Sequence, residues 1–548
     1  MNKLLIAITL SSSLAYSQSQ QAEVRTKLVV GIVVDQMRQE YLYRFSPKFG
    51  NGGFKRLMNE GFMMRNAHYN YVPTVTGPGH ASVYTGTTPA LHGIISNEWY
   101  DKELKKGVNC VSDDRFQVVG VQKQGGGVSP WRMETSTITD ELKVFTQSQA
   151  KVIGLSLKDR GAALPAGHAA DGAYWYDGGS GKFISSTYYK PGLPLWLEQF
   201  NNLNLADKYL NSTWNTLLPI TQYTESGPDD TPYESKFEGQ AKPVFPYNLS
   251  ELRKSNGNFG MLSKLPFGND LLTELTKAAL AGESLGTDNI TDFLCVSFSA
   301  TDGAGHAWGP NSIEIEDTYI RLDKNIEDLL QTFDKVIGKN QYLLFLTSDH
   351  GVAEVPRQLA DMKIPAGLFS MNKLDKDLSE YLNPYFPGVK IIEKISNGQI
   401  FFDHSLFRGD PKTAGIDLLI ATQLVVQFLN SVDGVNQVFT KSELKESFSN
   451  HTGTQGMLAR GYHAKRSGDI AFTLNSGWTS GSVTGSTHGS AYMYDTHVPM
   501  IFFGNGVKSG QSDQYHPITD IAPTLSVLLK IKFPSAATGQ PITEITQK

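Results

Sequence analysis

Short apolar stretches rich in β-branched residues recur along the chain. Five of them predict strands buried on both faces, at residues 28–34, 152–157, 293–298, 342–346 and 498–503. Stretches with helical periodicity lie between them. This alternation predicts an α/β fold in which helices cover both faces of a doubly wound, mostly parallel central sheet.

The clearest helical pattern covers residues 311–337. Its apolar stripe consists of Tyr319, Leu322, Ile326, Leu329, Leu330 and Phe333. Asn311 can cap the first turn, together with Glu314 three residues later, and Gly338 can end the helix. We therefore expect a long amphipathic helix between the third and fourth predicted strands.

Two regions with weak periodicity predict insertions on the sheet, at about residues 165–287 and 356–467. The first is rich in Gly, Asn, Pro and aromatic residues, and its Tyr174, Trp175 and Tyr176 either shape a substrate pocket or pack in the core. We expect one catalytic domain over residues 18–548 that carries both insertions.

Composition limits the partners of the protein. Apolar residues make up 40% of the 548 residues, which is enough for a real core. The net charge of −5 gives no reason to expect a nucleic-acid or anionic-membrane partner. An anionic substrate must therefore be attracted locally, by metal ions or a few basic side chains.

The first residues predict a signal peptide at residues 1–17. Lys3 is followed by an apolar stretch and then by small residues around Ala15 and Ser17. The stretch is shorter than the roughly 20 residues that span a membrane, and no cysteine follows it that would carry a lipid anchor. We expect export to the periplasm or beyond; the alternative is a buried N-terminal helix.

The chain contains only two cysteines, Cys110 and Cys295. Export would permit a disulfide between them. Cys295 lies inside an apolar predicted strand, however, and an unpaired core thiol is the commoner outcome there. We therefore expect both to be unpaired, although the sequence leaves the pairing open.

Acidic and imidazole side chains follow three of the predicted strands. Asp35 comes directly after the first, Asp302 and His306 follow the third, and Asp349 and His350 follow the fourth. In an open α/β sheet the site lies outside the carboxyl ends of the strands. A divalent metal is the partner that such a group of carboxylates and imidazoles requires, and Asp with His suits zinc.

Each of these motifs has an ordinary explanation when it is taken alone. Asp35 could cap a helix, Asp302 and His306 could form a surface pair on a helix, and Asp349-His350 is a common dipeptide. Their joint occurrence after buried strands favours the metal site.

Thr76 is the candidate nucleophile. It opens the segment Thr-Gly-Pro-Gly at the predicted start of a helix, where free N–H groups and the helix dipole favour an anion. A bare threonine is a weak nucleophile, but metal coordination can activate its hydroxyl. Without a metal site Thr76 would be an ordinary helix cap.

Lys158 and Arg160 follow the second predicted strand. Because they are two residues apart, an extended segment would direct both side chains the same way. Two cations on one side suit a phosphoryl group, with Arg able to bind two of its oxygens. The alternative is a solvated basic loop with Asp159 as its local partner.

Taken together, these motifs resemble the alkaline phosphatase superfamily, and within it the phosphate-irrepressible (PafA-type) alkaline phosphatases. The resemblance covers essentially the whole mature chain. The segments that carry it are VVDQMR (33–38), VPTVT (72–76), HGIISNEWYD (92–101), SLKDR (156–160), TDGAGHAWGPNS (301–312), SDHG (348–351), KRSGDI (465–470), TH (487–488), DTHVP (495–499) and TDIAPT (519–524).

The resemblance implies two zinc ions. One would be bound by Asp302, His306 and His488, and the other by Asp35, Asp349, His350 and the oxygen of Thr76. It also implies that Asn97, Lys158 and Arg160 hold the remaining phosphoryl oxygens. Composition alone makes His488 and His497 equally plausible ligands; the family pattern favours His488 and gives His497 a structural role. His80 and His92 are expected to pack and to form hydrogen bonds.

The implied reaction is hydrolysis of phosphate monoesters through a covalent phospho-threonine at Thr76. Broad use of small-molecule monoesters for phosphate scavenging, by a monomer without a membrane anchor, is the expectation. The alternative enzyme is a nucleotide pyrophosphatase/phosphodiesterase of the same superfamily, which lacks the basic pair of Lys158 and Arg160. A metal-binding protein without turnover is a more remote alternative.

Overall fold

The computed structural model describes residues 25–122, 126–407, 417–447 and 452–546. The predicted signal peptide at residues 1–17 lies outside these residues. Within them, no helix is both long enough and apolar enough to cross a membrane.

The strands, in chain order, are β1 Leu28–Val34, β2 Phe62–His68, β3 Glu98–Asp101, β4 Lys106–Asn109, β5 Ser112–Val119, β6 Gly126–Val128, β7 Val152–Ser156, β8 Gly172–Asp177, β9 Lys182–Ser186, β10 Thr213–Trp214, β11 Tyr247–Asn248, β12 Asp292–Phe298, β13 Tyr342–Thr347, β14 Gly367–Leu368, β15 Ile392–Ser396, β16 Gln399–Phe402, β17 Val435–Thr440, β18 Ile470–Leu474, β19 Trp478–Thr479, β20 Met500–Gly504 and β21 Gly510–Pro517.

The α-helices are α1 Tyr41–Arg44, α2 Phe54–Glu60, α3 Thr76–Thr85, α4 Pro89–His92, α5 Ile138–Phe145, α6 Asp159–Ala166, α7 Leu195–Asn202, α8 Leu205–Leu210, α9 Leu249–Leu252, α10 Pro266–Gly282, α11 Ala300–Trp308, α12 Ile313–Phe333, α13 Pro356–Asp361, α14 Met371–Leu382, α15 Leu418–Ser431, α16 Lys441–Ser447, α17 Gly453–Gly461, α18 Met493–Thr496, α19 Ile521–Leu529 and α20 Thr543–Thr546.

A sheet of 11 strands forms the centre of the fold, in the order β21-β2-β20-β13-β1-β12-β7-β8-β9-β5-β6. The middle strands β13, β1, β12, β7 and β8 are all parallel to their neighbours within that group. The α/β fold with a parallel centre is therefore as predicted, but the sheet as a whole is mixed. The predicted strand at residues 498–503 forms β20, which runs antiparallel to β13, because a buried apolar stretch does not encode strand direction.

Strand β1 lies in the middle of the sheet and all of its residues are buried. Its last residue, Val34, pairs with Phe298 at the end of β12, and Val33 pairs with Thr347 at the end of β13. In this register the parallel strands β1, β12 and β13 end at the same level. The residues that follow them therefore emerge side by side at one edge.

The long predicted helix is α12, but Ser312 rather than Asn311 caps it. The Ser312 Oγ accepts a hydrogen bond of 3.2 Å from the Ile315 N–H. The Asn311 amide instead donates to Glu354 Oε2 at 2.6 Å. The tertiary contact to Glu354 thus moves the start of the helix, and α12 ends at Phe333 before a short π-helical turn.

The two predicted insertions differ in structure. The first contributes β8 and β9 to the central sheet, and Tyr174, Trp175 and Tyr176 pack in its core with exposures of 1%, 6% and 7%. The second contains three strands of a separate four-stranded sheet, β15-β16-β18-β17, with its own apolar core. The fourth strand, β18, begins at Ile470, beyond the predicted end of the insertion at about residue 467. We call residues 367–479 the inserted module. Cys110 and Cys295 are both buried and unpaired, as expected.

Candidate active site

Helix α3 begins at Thr76, which is 1% exposed. The preceding Val75 is extended, with φ −138°, so the chain turns sharply into the helix. The Gly77 N–H donates to Asn97 Oδ1 at 2.6 Å, so the Asn97 side chain covers one of the free amides of the first turn. A Cβ at Gly79 would overlap the carbonyl oxygen of Asp349. The Thr-Gly-Pro-Gly sequence therefore lets the start of α3 lie close against the end of β13.

The carboxylates that follow β1, β12 and β13 are all buried. Asp35 and Asp349 are 0% exposed and Asp302 is 5% exposed. Burial raises the pKa of Asp35, and the Asp302 charge raises it further. Burial and the Asp35 charge likewise raise the pKa of Asp349 well above its ordinary range. Their proximity is unfavourable unless positive charge lies between them.

Three histidines direct their Nε2 atoms toward these carboxylates, and each is held in place through its Nδ1 atom. The Nδ1 atoms of His306, His350 and His488 lie 2.8 to 2.9 Å from the backbone carbonyl oxygens of Ser486, Gly351 and Thr74, respectively. An Nδ1–H bonded to a carbonyl leaves Nε2 free as an acceptor or metal ligand. All three imidazoles are thus fixed in the orientation that metal-binding histidines adopt.

Two groups of these residues have suitably placed donor atoms. One atom each from Asp302, His306 and His488 lies within 4.8 Å of the other two, and the same holds for Asp35, Asp302 and His350. The first group is the set predicted for one metal. Of the second predicted set, His350 Nε2 lies 3.4 Å from Asp35 Oδ1 and 3.7 Å from Asp349 Oδ2.

Several buried atoms at this place have no hydrogen-bond partner among the described residues. They are Asp35 Oδ1, Asp349 Oδ2 and His350 Nε2. Buried polar atoms in folded proteins normally have partners. Carboxylate oxygens and imidazole nitrogens that converge without partners are the donors that a divalent cation uses, so these residues fit a metal ion.

Lys158 neutralises part of the cluster. Its Nζ lies 2.8 Å from Asp35 Oδ2, 2.6 Å from Asp302 Oδ2 and 3.5 Å from the Thr76 Oγ1. Burial alone would lower the pKa of Lys158, but the charges of Asp302 and Asp35 raise it above its ordinary value. Burial would raise the pKa of Asp302, yet His306 and Lys158 hold it well below the usual range. Lys158 is therefore an ammonium beside the candidate nucleophile.

Arg160 is placed differently from the prediction. The segment is not extended, because α6 begins at Asp159 and only Lys158 keeps extended backbone, as the residue before the helix. Arg160 lies in the first turn, its Nη1 3.7 Å from Asp159 Oδ1, and its buried Nε has no hydrogen-bond partner among the described residues. Burial alone would lower the pKa of Arg160, but the charges of Asp159, Asp35 and Asp302 raise it, and the Arg160 charge in turn acts to lower the pKa of Lys158. Both cations therefore act on the same carboxylates, although the segment is helical.

Gln36 belongs to the site although it was not among the predicted site residues. Its Nε2 donates to Asp302 Oδ1 at 2.7 Å, and its backbone N–H donates to Asp349 Oδ1 at 3.2 Å. Its φ of 64° is unusual for a residue other than glycine. The only available signal was its position directly after Asp35.

His80, His92 and His497 have structural contacts. His80 Nδ1 lies 2.9 Å from the Thr76 carbonyl oxygen and Nε2 lies 2.8 Å from Ser297 Oγ. His92 Nε2 bonds Ser82 Oγ at 3.0 Å. His497 Nε2 lies 2.9 Å from the Arg65 carbonyl oxygen, and its ring stacks on His68. Of these rings, that of His80 also approaches a predicted metal ligand, with its Nδ1 3.4 Å from Asp349 Oδ2.

The site therefore combines four features in one place: a buried hydroxyl at a helix start, donors for cations on two sides, an ammonium and an arginine. These features suit the transfer of an anionic group to the hydroxyl, with positive charge to stabilise it. The hydroxyl would be the acceptor of that group.

Comparisons with known proteins agree with this chemistry. Residues 29–497 match the family described as type I phosphodiesterase / nucleotide pyrophosphatase. The chain is 44% identical to alkaline phosphatase PafA of Elizabethkingia meningoseptica, over 99% of this chain and 98% of that protein. It is also 44% identical to alkaline phosphatase PhoV of Synechococcus elongatus, over 98% of both chains. The crystal structure of PafA superposes with a TM-score of 0.90 at 43% identity, covering 95% of this chain and 99% of PafA. The resemblance that the motifs indicated is confirmed.

Proposed function

This chain belongs to the type I phosphodiesterase / nucleotide pyrophosphatase family, and we propose that it is an alkaline phosphatase that hydrolyses phosphate monoesters to an alcohol and inorganic phosphate. Full-length similarity to PafA and PhoV supports the reaction class. The observation that carries it is the contact of one ammonium, Lys158 Nζ, with Asp35, Asp302 and Thr76 at 2.6 to 3.5 Å. A hydroxyl beside a cation and between two donor groups suits a doubly charged phosphoryl group.

We assign these carboxylates and imidazoles to two zinc ions, with Asp349 in place of Asp302 as the partner of Asp35 and His350 at the second. Asp302, His306 and His488 would hold one, and Asp35, Asp349, His350 and the Thr76 oxygen the other. When bound, two such ions supply positive charge that favours the deprotonated hydroxyl and the leaving oxygen of a phosphate ester. The carbonyl-anchored histidines and the unpartnered carboxylate oxygens support this assignment.

In the first step, the Thr76 hydroxyl gives its proton to water, and its Oγ forms a bond to phosphorus while the bond from phosphorus to the ester oxygen breaks. The departing oxygen takes a proton from water and leaves as the alcohol. The product on the enzyme is a phospho-threonine. In the second step, water attacks this phosphorus, Thr76 recovers its proton, and inorganic phosphate leaves.

The residues around Thr76 bind the oxygens of the transferred group. The Asn97 Oδ1 accepts the Gly77 N–H, which leaves the Nδ2 of Asn97 free to donate to a phosphoryl oxygen. Lys158 offers its ammonium, and Arg160 can offer a buried guanidinium. Loose phosphoryl transition states carry much of their charge on these oxygens, so fixed cations and N–H donors stabilise them.

We also propose that the protein is an exported monomer without a membrane anchor and that it scavenges phosphate from varied small-molecule monoesters. Export rests on the signal-peptide pattern at residues 1–17. Determining the N-terminal residue and the compartment of the mature protein in its host would test it. Retention of residues 1–17 inside the cell would contradict export.

The decisive experiment compares kcat/KM for an aryl phosphate monoester with that for its bis-aryl diester, on zinc-loaded protein. A monoester is a dianion that needs two cations, so we expect a strong monoester preference. In Lys158→Ala or Arg160→Ala the monoester rate should fall by about 10²-fold or more and the diester rate much less. Lys106→Ala, an exposed lysine on β4, is the matched control.

The family match favours one second candidate, a phosphodiesterase or nucleotide pyrophosphatase. A diester is a monoanion, so its turnover should not depend on a second cation. A diester preference in the wild type, or rates that are indifferent to both substitutions, would replace the phosphatase assignment with this one.

A further inference from the structure

A cavity of about 410 Å³ lies between the inserted module and the loops of the active site. Val75 and His488 form part of its wall on the side of the active site. Val75 directly precedes Thr76, and His488 shares a donor group with Asp302 and His306. The cavity is therefore continuous with the wall of the site, and its volume falls within the range of pockets that hold small organic ligands.

Aromatic side chains form much of the wall. The inserted module contributes Phe472 and Trp478, and the start of α18 contributes Tyr492 and Tyr494, whose ring centres are 5.6 Å apart. The Tyr492 hydroxyl donates to the Leu474 carbonyl oxygen at 3.1 Å. Because this hydroxyl already has a partner, the tyrosine presents its ring surface rather than a polar tip. Such a surface binds flat apolar groups by stacking.

The charge of the wall excludes a phosphate as the occupant. No lysine or arginine occurs among the described residues that line the cavity. The cations at the site, Lys158 and Arg160, lie outside the lining. The anionic part of a ligand would therefore stay at Thr76 and Lys158, while its apolar part could enter the cavity.

The position of His488 indicates which part of a substrate would occupy the cavity. In an in-line displacement the leaving group lies opposite the attacking oxygen. Of the two proposed zinc sites, the one formed by Asp302, His306 and His488 does not include the Thr76 oxygen, so it would face the departing oxygen. A group attached to that oxygen lies next to His488, which the cavity wall contains.

We propose that this cavity is the subsite for the organic group of the ester, and that it gives the enzyme a preference for phosphate monoesters of aromatic alcohols. The proposal rests on the proposed function, since it assumes a phosphoryl group at Thr76. It assigns substrate selection to the inserted module, and not to the first insertion, whose Tyr174, Trp175 and Tyr176 are buried in the core.

The test fills the cavity by substitutions on two different elements. Ala491→Trp adds a ring from the loop before α18, and Leu474→Trp adds one from β18 of the inserted module. For each protein, kcat/KM is measured with naphthyl phosphate and with ethyl phosphate. Dividing each variant's value by the wild-type value removes the intrinsic reactivity of the two esters. The exposed Ala281 on α10 supplies the matched control, Ala281→Trp.

We expect the naphthyl-to-ethyl ratio to fall about tenfold or more in both filled variants, because lost contacts in an apolar pocket have effects of that size. The control should keep the wild-type ratio. Naphthol should inhibit hydrolysis of ethyl phosphate by the wild type, and about tenfold more weakly in the filled variants. Because the two substitutions lie on different elements, either variant alone tests the proposal if the other does not fold.

An unchanged ratio in the folded filled variants would overturn the proposal, as would an equal loss for both esters. Those results leave the phosphatase assignment intact, because ethyl phosphate still reports the reaction at Thr76. Failure of the zinc-loaded wild type to hydrolyse either ester would instead refute the proposed function, and with it the subsite.

Discussion

The side-chain amide of Gln36 donates a hydrogen bond of 2.7 Å to Asp302 Oδ1, and Asp302 is a ligand of the proposed zinc site that does not include Thr76. The backbone N–H of the same residue donates to Asp349 Oδ1 at 3.2 Å. One residue therefore orients a carboxylate on each side of the site. It does so with a left-handed φ of 64°, which costs an ordinary residue roughly 1–3 kcal/mol.

Gln36→Gly should weaken zinc binding. Glycine accepts the left-handed backbone without strain, so the substitution removes only the amide that orients Asp302. Loss of such an outer partner typically lowers metal affinity about 10- to 100-fold. Zinc affinity measured by competition with a chromogenic chelator checks this, and excess zinc should restore most of the activity. If zinc affinity remains at the wild-type value, Gln36 has no orienting role.

Thr76→Ala should lower turnover by at least about 10³-fold while zinc content stays the same, because it removes the proposed acceptor of the phosphoryl group. Thr76→Ser should retain activity. Thr85→Ala, at the other end of α3, is the control. Rapid acid quench followed by peptide mass spectrometry should find one phosphoryl group on the Thr76 peptide of the wild type, and none in Thr76→Ala. Near-normal turnover in the alanine variant would show that Thr76 is not the nucleophile.

Zinc should stabilise the folded protein. Asp35 and Asp349 are buried together, and a bound cation would relieve their repulsion. A ligand that binds only the folded state at 100 times its Kd adds about 2.7 kcal/mol. The thermal midpoint should therefore rise with zinc concentration and fall on chelation, and Asp349→Asn should show a flatter dependence. A midpoint that is independent of zinc would contradict the two assigned ion sites.

Glu314 should make stability depend on pH. Burial raises its pKa to about 8, and the charges of Asp229 and Asp317 add to the rise. The folded protein thus keeps this proton between about pH 4.5 and 8, whereas the unfolded chain has released it, so stability falls as pH increases through that window. Glu314→Gln should remove this loss and stabilise the protein more at pH 9 than at pH 5.

The measurement is the denaturation midpoint in urea at both pH values. The Tyr247 hydroxyl can still donate to the amide oxygen of a glutamine at position 314, so the hydrogen bond to this position is preserved. The exposed Glu251→Gln serves as the control. An equal effect at pH 5 and pH 9 would mean that Glu314 is already ionised in the folded protein.

The sequence by itself predicted the α/β class, because buried strands and amphipathic helices each have a characteristic local pattern of apolar residues. It also predicted that Asp35, Asp302 and Asp349 would meet, since residues after parallel strands share one edge. His488 needed the family resemblance: it lies far along the chain from the other donors, and no local pattern separates it from His497.

Only the tertiary structure decided the rest. The direction of β20, the cap of α12 and the bend between Lys158 and Arg160 depend on contacts between segments distant in sequence. The same holds for Gln36, whose role needs Asp302, 266 positions later, and for the cavity, which exists only where the inserted module meets the active-site loops. Local sequence sets what each segment can form, whereas long-range packing selects which of its polar groups meet.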